Sequence, residues 1–413
     1  MLDTILRRLA RAALALACCA LSLAFARPAH AAWPSTNVGV CTMPGPQNYR
    51  TAISDGVGGM FVAWSDGRFV VTDVYAQHVR ADGTLAWNAN GLNICAAAGR
   101  QDQPVLACDG AGGVFIAWKD YRSDANGDIF VQHIDAAGVP QWDYNGLPAC
   151  KATGQQVDPV IVHDGTGDGV KPSGVLVAWE DERDGPRIYA QRFTSDGSAK
   201  WDTDGIPVTS QLAAQYEPAM VIDGGEGAIL GWSQQTARGY DIYTQHIDPD
   251  GSLLWGAAGL PVCTADGNQM RPVLAADSTA GVWLAWQDDR NVARAIYTQH
   301  VSWEGYTLLP ADGMAVCPTS SDQTGATVSA DTSGGVFVAW IDNRSGTDIY
   351  AQRLDVMGTR QWAAAGFALI ESRGLDVQVP RPPAAVTALR ARIAQAMDPA
   401  GVMAYGPRWM AGK

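Results

Sequence analysis

Beyond its first 31 residues the sequence contains no apolar run long enough to cross a membrane as a helix. The one extended apolar run, Ala12–Phe25, follows a basic stretch at 7–11 and precedes an Ala-His-Ala site at 29–31. This order is typical of a signal peptide with its cleavage site. We therefore expect residues 1–31 to be removed. The mature chain is then secreted, as an extracellular, cell-surface or periplasmic protein with no membrane span.

Positive charge is scarce in the mature part. Residues 1–31 contain four arginines and one aspartate, so their removal from 29 basic and 42 acidic residues leaves 25 and 41, a net charge of −16. Nucleic acids and anionic membranes bind proteins mainly through lysine and arginine. The charge balance therefore argues against a nucleic-acid partner and against binding to an anionic membrane surface.

Cysteine is infrequent, and six of the eight cysteines lie in the mature part. An oxidising compartment would favour disulfides. Five of the six, however, occupy one recurring slot of the repeat described below, which would hold them too far apart for an S–S bond. We therefore predict that all six, including Cys108, are unpaired and behave as small buried apolar residues. The five in the slot are Cys41, Cys95, Cys150, Cys263 and Cys317.

The most regular feature of the sequence is an internal repeat. An apolar segment ending in tryptophan recurs six times, and these tryptophans are 54, 61, 53, 54 and 54 residues apart. Most copies have an aspartate nine residues before the tryptophan, and a second segment of the type Ile-Tyr-Ala-Gln follows. The six tryptophans are Trp64, Trp118, Trp179, Trp232, Trp286 and Trp340.

Each copy contains four strand-like segments separated by turn residues at hairpin spacing. We name them a (Pro-Val-Leu type), b (ending in tryptophan), c (Ile-Tyr-Ala-Gln type) and d (from a second tryptophan through the cysteine slot). Four antiparallel strands repeated radially are typical of a propeller blade. The sequence therefore predicts an all-β fold, a six-bladed β-propeller of four-stranded antiparallel blades. The alternative is seven blades with a degenerate last blade.

The two ends of the repeat leave the closure of the ring open. Segment 33–47 matches a d strand with its exit loop, and 362–370 supplies another, so six a–b–c sets accompany seven d strands. We expect the propeller to span 32–375 and residues 376–413 to be a linker or a truncated remnant. Within that remnant, Pro383–Ala391 resembles the start of a fibronectin type III domain, and Ala400–Tyr405 is also compatible with a degenerate b strand.

The repeat as a whole, seen at 334–353 as Gly-Gly-Val-Phe-Val-Ala-Trp, Asp-x-Arg and Asp-Ile-Tyr-Ala-Gln-Arg, resembles a group of bacterial secreted propeller repeats, mostly uncharacterised. The resemblance covers about residues 33–375. It implies an extracellular or cell-surface location and a propeller architecture. It transfers no catalytic residue.

Motifs that would identify a catalytic centre are missing. The glycine-to-tryptophan step is one residue longer than in the sialidase box, and the only adjacent cysteines, which quinone-dependent propeller dehydrogenases need at their cofactor, lie at 18–19 in the signal. Propeller glycosidases need paired carboxylates in the channel, and strand a is interpreted as having no acidic residue beyond the turn aspartates. Asp124–Asp128 is interpreted as a turn, because it lacks the glycine of a calcium loop. We therefore predict no catalytic residue, no cofactor and no metal site.

Three sets of polar residues recur from blade to blade. Glutamines of the d–a loops and Asp–Arg pairs of the b–c loops share one face, and we interpret both mainly as framework that ties down loop backbone. One slot of strand c carries a histidine or an arginine, which we interpret as solvated blade surface. Its members are His78, His133, Arg192, His246, His300 and Arg353.

The favoured function is a non-catalytic, monomeric binding or scaffold module for an extracellular protein or a glycan. The alternative is a secreted carbohydrate-active hydrolase or lyase that uses the channel face. Carboxylates clustered at one channel mouth would favour the alternative. The insertion Gly165–Lys171 is a further departure from the repeat. The candidate ligand-binding residues are Gln156, Gln215, Asp181, Arg183, Arg187, Gln234, Trp283 and Trp303.

Overall fold

The computed structural model describes residues 37–165, 173–277, 281–331 and 333–370. Their regular elements are β-strands, arranged in six antiparallel four-stranded sheets with the strands in chain order. For the described residues, the predicted all-β propeller with six four-stranded blades is thereby confirmed. None of the described residues belongs to a helix that could cross a membrane. The predicted signal peptide, the insertion after Gly165 and the segment 376–413 lie outside the described residues.

Strands a, b, c and d follow one another in every blade. Blades 1 and 2 consist of β1 (Gln47–Ser54), β2 (Met60–Asp66), β3 (Asp73–Val79), β4 (Leu92–Cys95), β5 (Gln101–Cys108), β6 (Val114–Asp120), β7 (Asp128–Ile134) and β8 (Leu147–Cys150). Blades 3 and 4 consist of β9 (Gln156–His163), β10 (Val175–Asp181), β11 (Arg187–Phe193), β12 (Ile206–Pro207), β13 (Gln215–Ile222), β14 (Ala228–Thr236), β15 (Gly239–Ile247) and β16 (Leu260–Cys263). Blades 5 and 6 consist of β17 (Gln269–Ala276), β18 (Val282–Asp288), β19 (Ala295–Val301), β20 (Met314–Ala315), β21 (Gln323–Ala330), β22 (Val336–Asp342), β23 (Asp348–Leu354) and β24 (Phe367–Ile370).

Strand b is deeply buried because both of its faces meet neighbouring blades. Successive residues of a strand point to opposite faces. In β6, Ile116 and Trp118 accordingly belong to the core shared with blade 1, while Phe115 and Ala117 belong to the core shared with blade 3. Burying a large apolar side chain contributes roughly 1.5–3 kcal/mol, so these inter-blade cores hold the blades together.

Packing around the b-strand tryptophan requires a glycine between strands c and d. Gly146 has φ of +81°, a backbone conformation that favours glycine. A Cβ atom at Gly146 would also lie only 2.5 Å from Cη2 of Trp118. The same approach of a glycine to the b-strand tryptophan recurs in the other blades, at Gly91, Gly205, Gly259, Gly313 and Gly366.

The cysteines are unpaired, as the repeat predicts. Cys95 is buried between blades 1 and 2, and its Sγ lies 3.0 Å from Nη2 of Arg122. Arg122 in turn pairs with the buried Asp120 at 2.6 Å. Burial raises the pKa of Cys95 to about 12, so this thiol is uncharged at neutral pH. The cysteine slot is therefore part of the inter-blade framework.

The interpretation of the strand-c histidines as solvated surface is wrong. His133 is 2% exposed, and its Nε2 lies 2.9 Å from Oδ2 of Asp109, the aspartate nine residues before Trp118. Every blade contains this pair of a turn aspartate with a strand-c cation, because the turn brings the aspartate beside strand c. The pairs are Asp55–His78, Asp109–His133, Asp164–Arg192, Asp223–His246, Asp277–His300 and Asp331–Arg353.

The two d-type segments at the chain ends occupy different places. β24 pairs with β23 and completes blade 6. Residues 37–46 contain no strand, yet Val40 and Cys41 pack against the core of blade 1 that includes Trp64. The surplus d-type segment therefore lies against blade 1.

Candidate functional site

The glutamines of the d–a loops lie inside the framework. Gln156 and Gln215 are fully buried. Nε2 of Gln156 donates to the carbonyl oxygens of Ala152 and Gly154 in its own loop, both at 3.3 Å. Oε1 of Gln215 accepts a hydrogen bond from the backbone N–H of Ile188, 3.0 Å away. These side chains tie down loop backbone, which is the framework role predicted for them.

The Asp–Arg pair of blade 3 has the same structural role. Asp181 is fully buried and accepts hydrogen bonds from Nε1 of Trp179 at 2.8 Å and from Nη2 of Arg183 at 2.6 Å. Arg183 also donates to the carbonyl oxygen of Asp204 at 2.7 Å, across the blade. Arg187 is buried and donates to the carbonyl oxygen of Thr209, likewise at 2.7 Å.

The remaining candidates do not meet at one cavity. Gln234 takes the place of the aspartate in blade 4 and accepts from Nε1 of Trp232 at 3.3 Å. Trp283 is fully buried and stacks on His300 with ring centroids 4.3 Å apart. Trp303 is 47% exposed but lies in a c–d turn, at the opposite end of the blade from the d–a and b–c loops. A ligand-binding role for the eight residues stays a prediction.

Strand a of every blade contains a bulge, and the bulged residue differs from blade to blade. The repeat pattern did not predict this feature. In β5 the pairing with β6 shifts between Asp102 and Val105, so Gln103 is an extra residue and has φ of +53°. A non-glycine residue in this region is strained, and such residues cluster at functional sites. The same position is left-handed in every blade, and the residue differs each time. The six residues are Tyr49, Gln103, Asp158, Glu217, Arg271 and Gly325.

Four of these bulges line a cavity of about 450 Å³ at the centre of the propeller. The bulged residue is the third residue of strand a and so lies near the end of the strand that follows the d–a loop. The cavity is therefore at the end of the channel where the d–a and b–c loops meet. We call this region the channel mouth. Its lining includes two acidic residues of strand a, Asp158 and Glu217. The expectation that strand a contains no acidic residue beyond the turn aspartates is therefore wrong. The cavity is lined by Tyr49, Arg50, Gln103, Pro104, Val105, Asp158, Pro159, Val160, Glu217 and Pro218.

A third carboxylate, that of Glu180 in strand b of blade 3, contacts the bulge of blade 4. Glu180 follows Trp179 in strand b, and its Oε1 accepts a hydrogen bond of 2.6 Å from the backbone N–H of Glu217. The bulge thus places the backbone N–H of Glu217 against the Glu180 carboxylate. We call Asp158, Glu180 and Glu217 the carboxylate cluster.

The cluster members differ in their surroundings. Burial raises the pKa of Glu180 to about 7, and the negative charges of Asp158, Glu217 and Glu182 act in the same direction. Glu217 instead is held by hydrogen-bond donors. Its Oε2 accepts hydrogen bonds from Oγ of Ser233 at 2.8 Å and from the backbone N–H of Arg271 at 2.7 Å. The arrangement therefore places a carboxyl that retains a proton near neutral pH next to the hydrogen-bonded Glu217.

Blade 4 also places two tyrosines, Tyr216 and Tyr240, beside the cluster. Its b–c hairpin is longer than those of the other blades, with nine residues in each of β14 and β15. The extension carries Tyr240 to within 6.0 Å of the Tyr216 ring, measured between centroids, in an edge-to-face arrangement. Tyr216 directly precedes Glu217, so a pair of partly exposed aromatic rings borders the carboxylates.

The residues of this site are visible in the sequence, but they occupy a position of the repeat that has no common residue type. Strand a begins with the same glutamine in every blade, and four blades have proline three residues later. The residue between them that lines the channel is the one that varies, which no repeat consensus displays. Among the described residues, no group of three or more His, Cys, Asp or Glu side chains is arranged to hold a metal ion.

No protein-family model and no curated protein matches the sequence. Among solved structures, the chain is similar to a protein of unknown function from Dyadobacter fermentans (12% identity, 74% of this chain and 93% of that chain, TM-score 0.42). It is also similar to an α-L-arabinanase from Penicillium chrysogenum (12% identity, 78% of this chain and 98% of that chain, TM-score 0.43). A third similar structure is an ulvan lyase of a new polysaccharide lyase family (10% identity, 75% of this chain and 81% of that chain, TM-score 0.49). These low-identity similarities cover 74–78% of this chain.

Proposed function

We propose that this protein is a secreted carbohydrate-active hydrolase whose active centre is the carboxylate cluster at the channel mouth. One observation carries the proposal: Glu180, with its pKa raised to about 7, is hydrogen-bonded to the backbone of Glu217, which itself lines the central cavity. Two carboxyl groups with opposite protonation states are what glycoside hydrolysis requires.

The roles follow from the two environments. Glu180 is the general acid and gives its proton to the oxygen of the glycosidic bond that breaks. Glu217, held in place by Ser233 and the backbone N–H of Arg271, is the second carboxyl group, which takes the proton of the attacking water or attacks the sugar itself. Water is the co-reactant, and its hydrogen and hydroxyl are divided between the two fragments of the cleaved chain.

The rest of the channel mouth is suited to binding a glycan. Asp158 is exposed to the cavity and is oriented by a 3.0 Å hydrogen bond from Nε2 of Gln103, so it is available to sugar hydroxyl groups. Tyr216 and Tyr240 offer apolar faces to the C–H surface of a sugar ring. A cavity of about 450 Å³ has the size of a small-ligand site.

Turnover of a panel of neutral and acidic polysaccharides by the mature protein tests the proposal. We expect hydrolysis of at least one glycan, and a loss of roughly a hundredfold or more in the Glu180→Gln and Glu217→Gln variants with unchanged thermal unfolding. Glu182→Gln is the matched control, because Glu182 is an exposed neighbour, and it should retain turnover.

Two outcomes would replace the proposal. Products with an unsaturated uronate end would make the protein a lyase. Binding of a glycan with no turnover, weakened by Tyr216→Ala but not by Glu180→Gln, would make it the non-catalytic binding module that the sequence favours.

A further inference from the structure

The contact between the first and sixth blades differs from the other contacts between blades. Along the channel, β1 packs against β5, and the inner strands continue in this way through β9, β13 and β17 to β21. Among the described residues, no packing of that extent joins β21 to β1. The six described blades therefore leave a seam between blade 6 and blade 1.

Blade 1 is covered on its seam side by the N-terminal segment, residues 37–46. This segment makes the contacts that a d strand makes with the following blade. Nη2 of Arg68 donates to Sγ of Cys41 at 3.4 Å, and the backbone N–H of Thr42 donates to Oδ1 of Asn90 at 2.9 Å.

Blades 1 and 2 are joined by the same pair of contacts. Nη2 of Arg122 donates to Sγ of Cys95 at 3.0 Å, and the N–H of Ala96 donates to Oδ1 of Asn145 at 2.8 Å. The N-terminal segment thus lies where the d strand of a preceding blade would lie. Blade 6 already has its own d strand, β24, so this position belongs to a further blade.

The described residues leave the seam side of blade 6 uncovered. Phe337, Trp362 and Leu369, which we call the sixth-blade face, are only partly buried. Their equivalents in blade 1, Phe61, Trp87 and Ile94, are all buried.

A hydrogen bond that joins blades is also missing there. The d-strand tryptophans of blades 1 to 4 donate from Nε1 to a carbonyl oxygen in the next blade, as Trp142 does to Ser195 at 3.0 Å. No such bond joins Trp362 to blade 1 among the described residues. The sixth-blade face therefore lacks the neighbour that the corresponding faces of the other blades have.

We infer that the seam is a seventh blade position and that residues 371–413 of the same chain dock there, against the sixth-blade face and beside the N-terminal segment. β24 ends at Ile370 on this face, and the sequence continues for 43 residues. Strands a and b of blade 2, which would suffice to cover this face, span Gln101–Asp120, which is 20 residues. The run Ala400-Gly-Val-Met-Ala-Tyr405 has the length of Gly113–Trp118, with Tyr405 in the place of the strand-b tryptophan and Ala400 in the place of the glycine. The two chain ends then share one blade, independently of the proposed activity.

Hydrogen–deuterium exchange on the full mature chain tests this inference. Peptides covering β22 and β24 should exchange as slowly as those of blade 3. In a chain ending at residue 375, and in the full chain with Val402→Asp, exchange of β22 and β24 should accelerate several-fold while blade 3 stays protected. Val292→Asp, at an exposed loop position of blade 5, is the matched control and should change nothing.

Unchanged exchange of β22 and β24 in both variants would overturn the inference. Protection that depends on protein concentration, with a dimer in light scattering, would also overturn it, because a second copy would then cover the sixth-blade face.

Discussion

At the residue scale, repeat positions that are identical in every blade have a different role from positions that vary. The glutamine of the d–a loop is identical in every blade. It is buried in blades 2 to 6, and in blade 3 it bonds to backbone. The residue two places later, which differs in every blade, lines the channel mouth. Folding requirements are common to all blades and chemistry is not, so the variable position is where a specific function can reside.

The buried His–Asp pairs lead to a prediction about stability. We expect His133→Ala to lower the free energy of unfolding by about 1–3 kcal/mol, because it leaves the carboxylate of Asp109 buried without its partner. Urea unfolding followed by tryptophan fluorescence measures the change.

The control for this prediction is His133→Arg. Blade 6 has an arginine in this slot, with the Arg353 guanidinium 5.6 Å from the Phe337 ring, and Phe115 holds the corresponding position in blade 2. The arginine variant should therefore recover most of the loss. Equal losses in both variants would show that the ion pair is not what stabilises this position.

At the element scale, the sequence predicted most of the fold, because strand periodicity and turn residues are local signals. The b strands, the glycine turns and the unpaired cysteines were all predicted from spacing. The bulge in strand a was not, because it depends on pairing with strand b, and its residue has no common type in the repeat. The buried histidines were misjudged for a related reason: their partner aspartates are about 23 residues away in sequence.

The b-strand tryptophans give the prediction that belongs to this scale. Trp118 fills the core between blades 1 and 2, so we expect Trp118→Ala to cost about 3–5 kcal/mol through lost burial and the cavity left behind. Tyr144→Ala, at an exposed position of the same blade, should cost well under 1 kcal/mol. Denaturant melts of the two variants check this. Similar losses for both would mean that the inter-blade core is not the main source of stability.

At the scale of the whole molecule, carboxylates bound to cations recur around the ring and should make stability sensitive to acid. Burial raises the pKa of Asp66, but hydrogen bonds from Arg68 and Trp64 outweigh it and lower the pKa from 3.8 to about 2. In Asp109, the bond from His133 and two backbone N–H groups likewise outweigh burial and lower the pKa. A carboxyl with a lowered pKa in the folded state stabilises the fold above its unfolded pKa and loses that contribution as the pH falls.

We therefore expect the free energy of unfolding to fall steeply between about pH 4 and pH 2. Asp66→Asn should be less stable at neutral pH and show a shallower decline in acid. Asp143→Asn, at an exposed position, should follow the unmodified protein. Urea melts across this pH range measure the slope, and a stability that stays level down to pH 2 would contradict the role given to these pairs.

The pH dependence of kcat/KM on a hydrolysed glycan tests the central claim most directly. Because burial and the neighbouring carboxylates raise the pKa of Glu180 to about 7, kcat/KM should fall as the pH rises through about 7 and the acid loses its proton. Glu182→Gln should keep turnover with this alkaline limb moved slightly to lower pH, since it removes one negative charge near Glu180, and Glu180→Gln should abolish turnover. A rate that stays level well above pH 7, or full turnover by Glu180→Gln, would contradict the assignment of Glu180 as the acid. The absence of turnover on every glycan would contradict the enzymatic function itself.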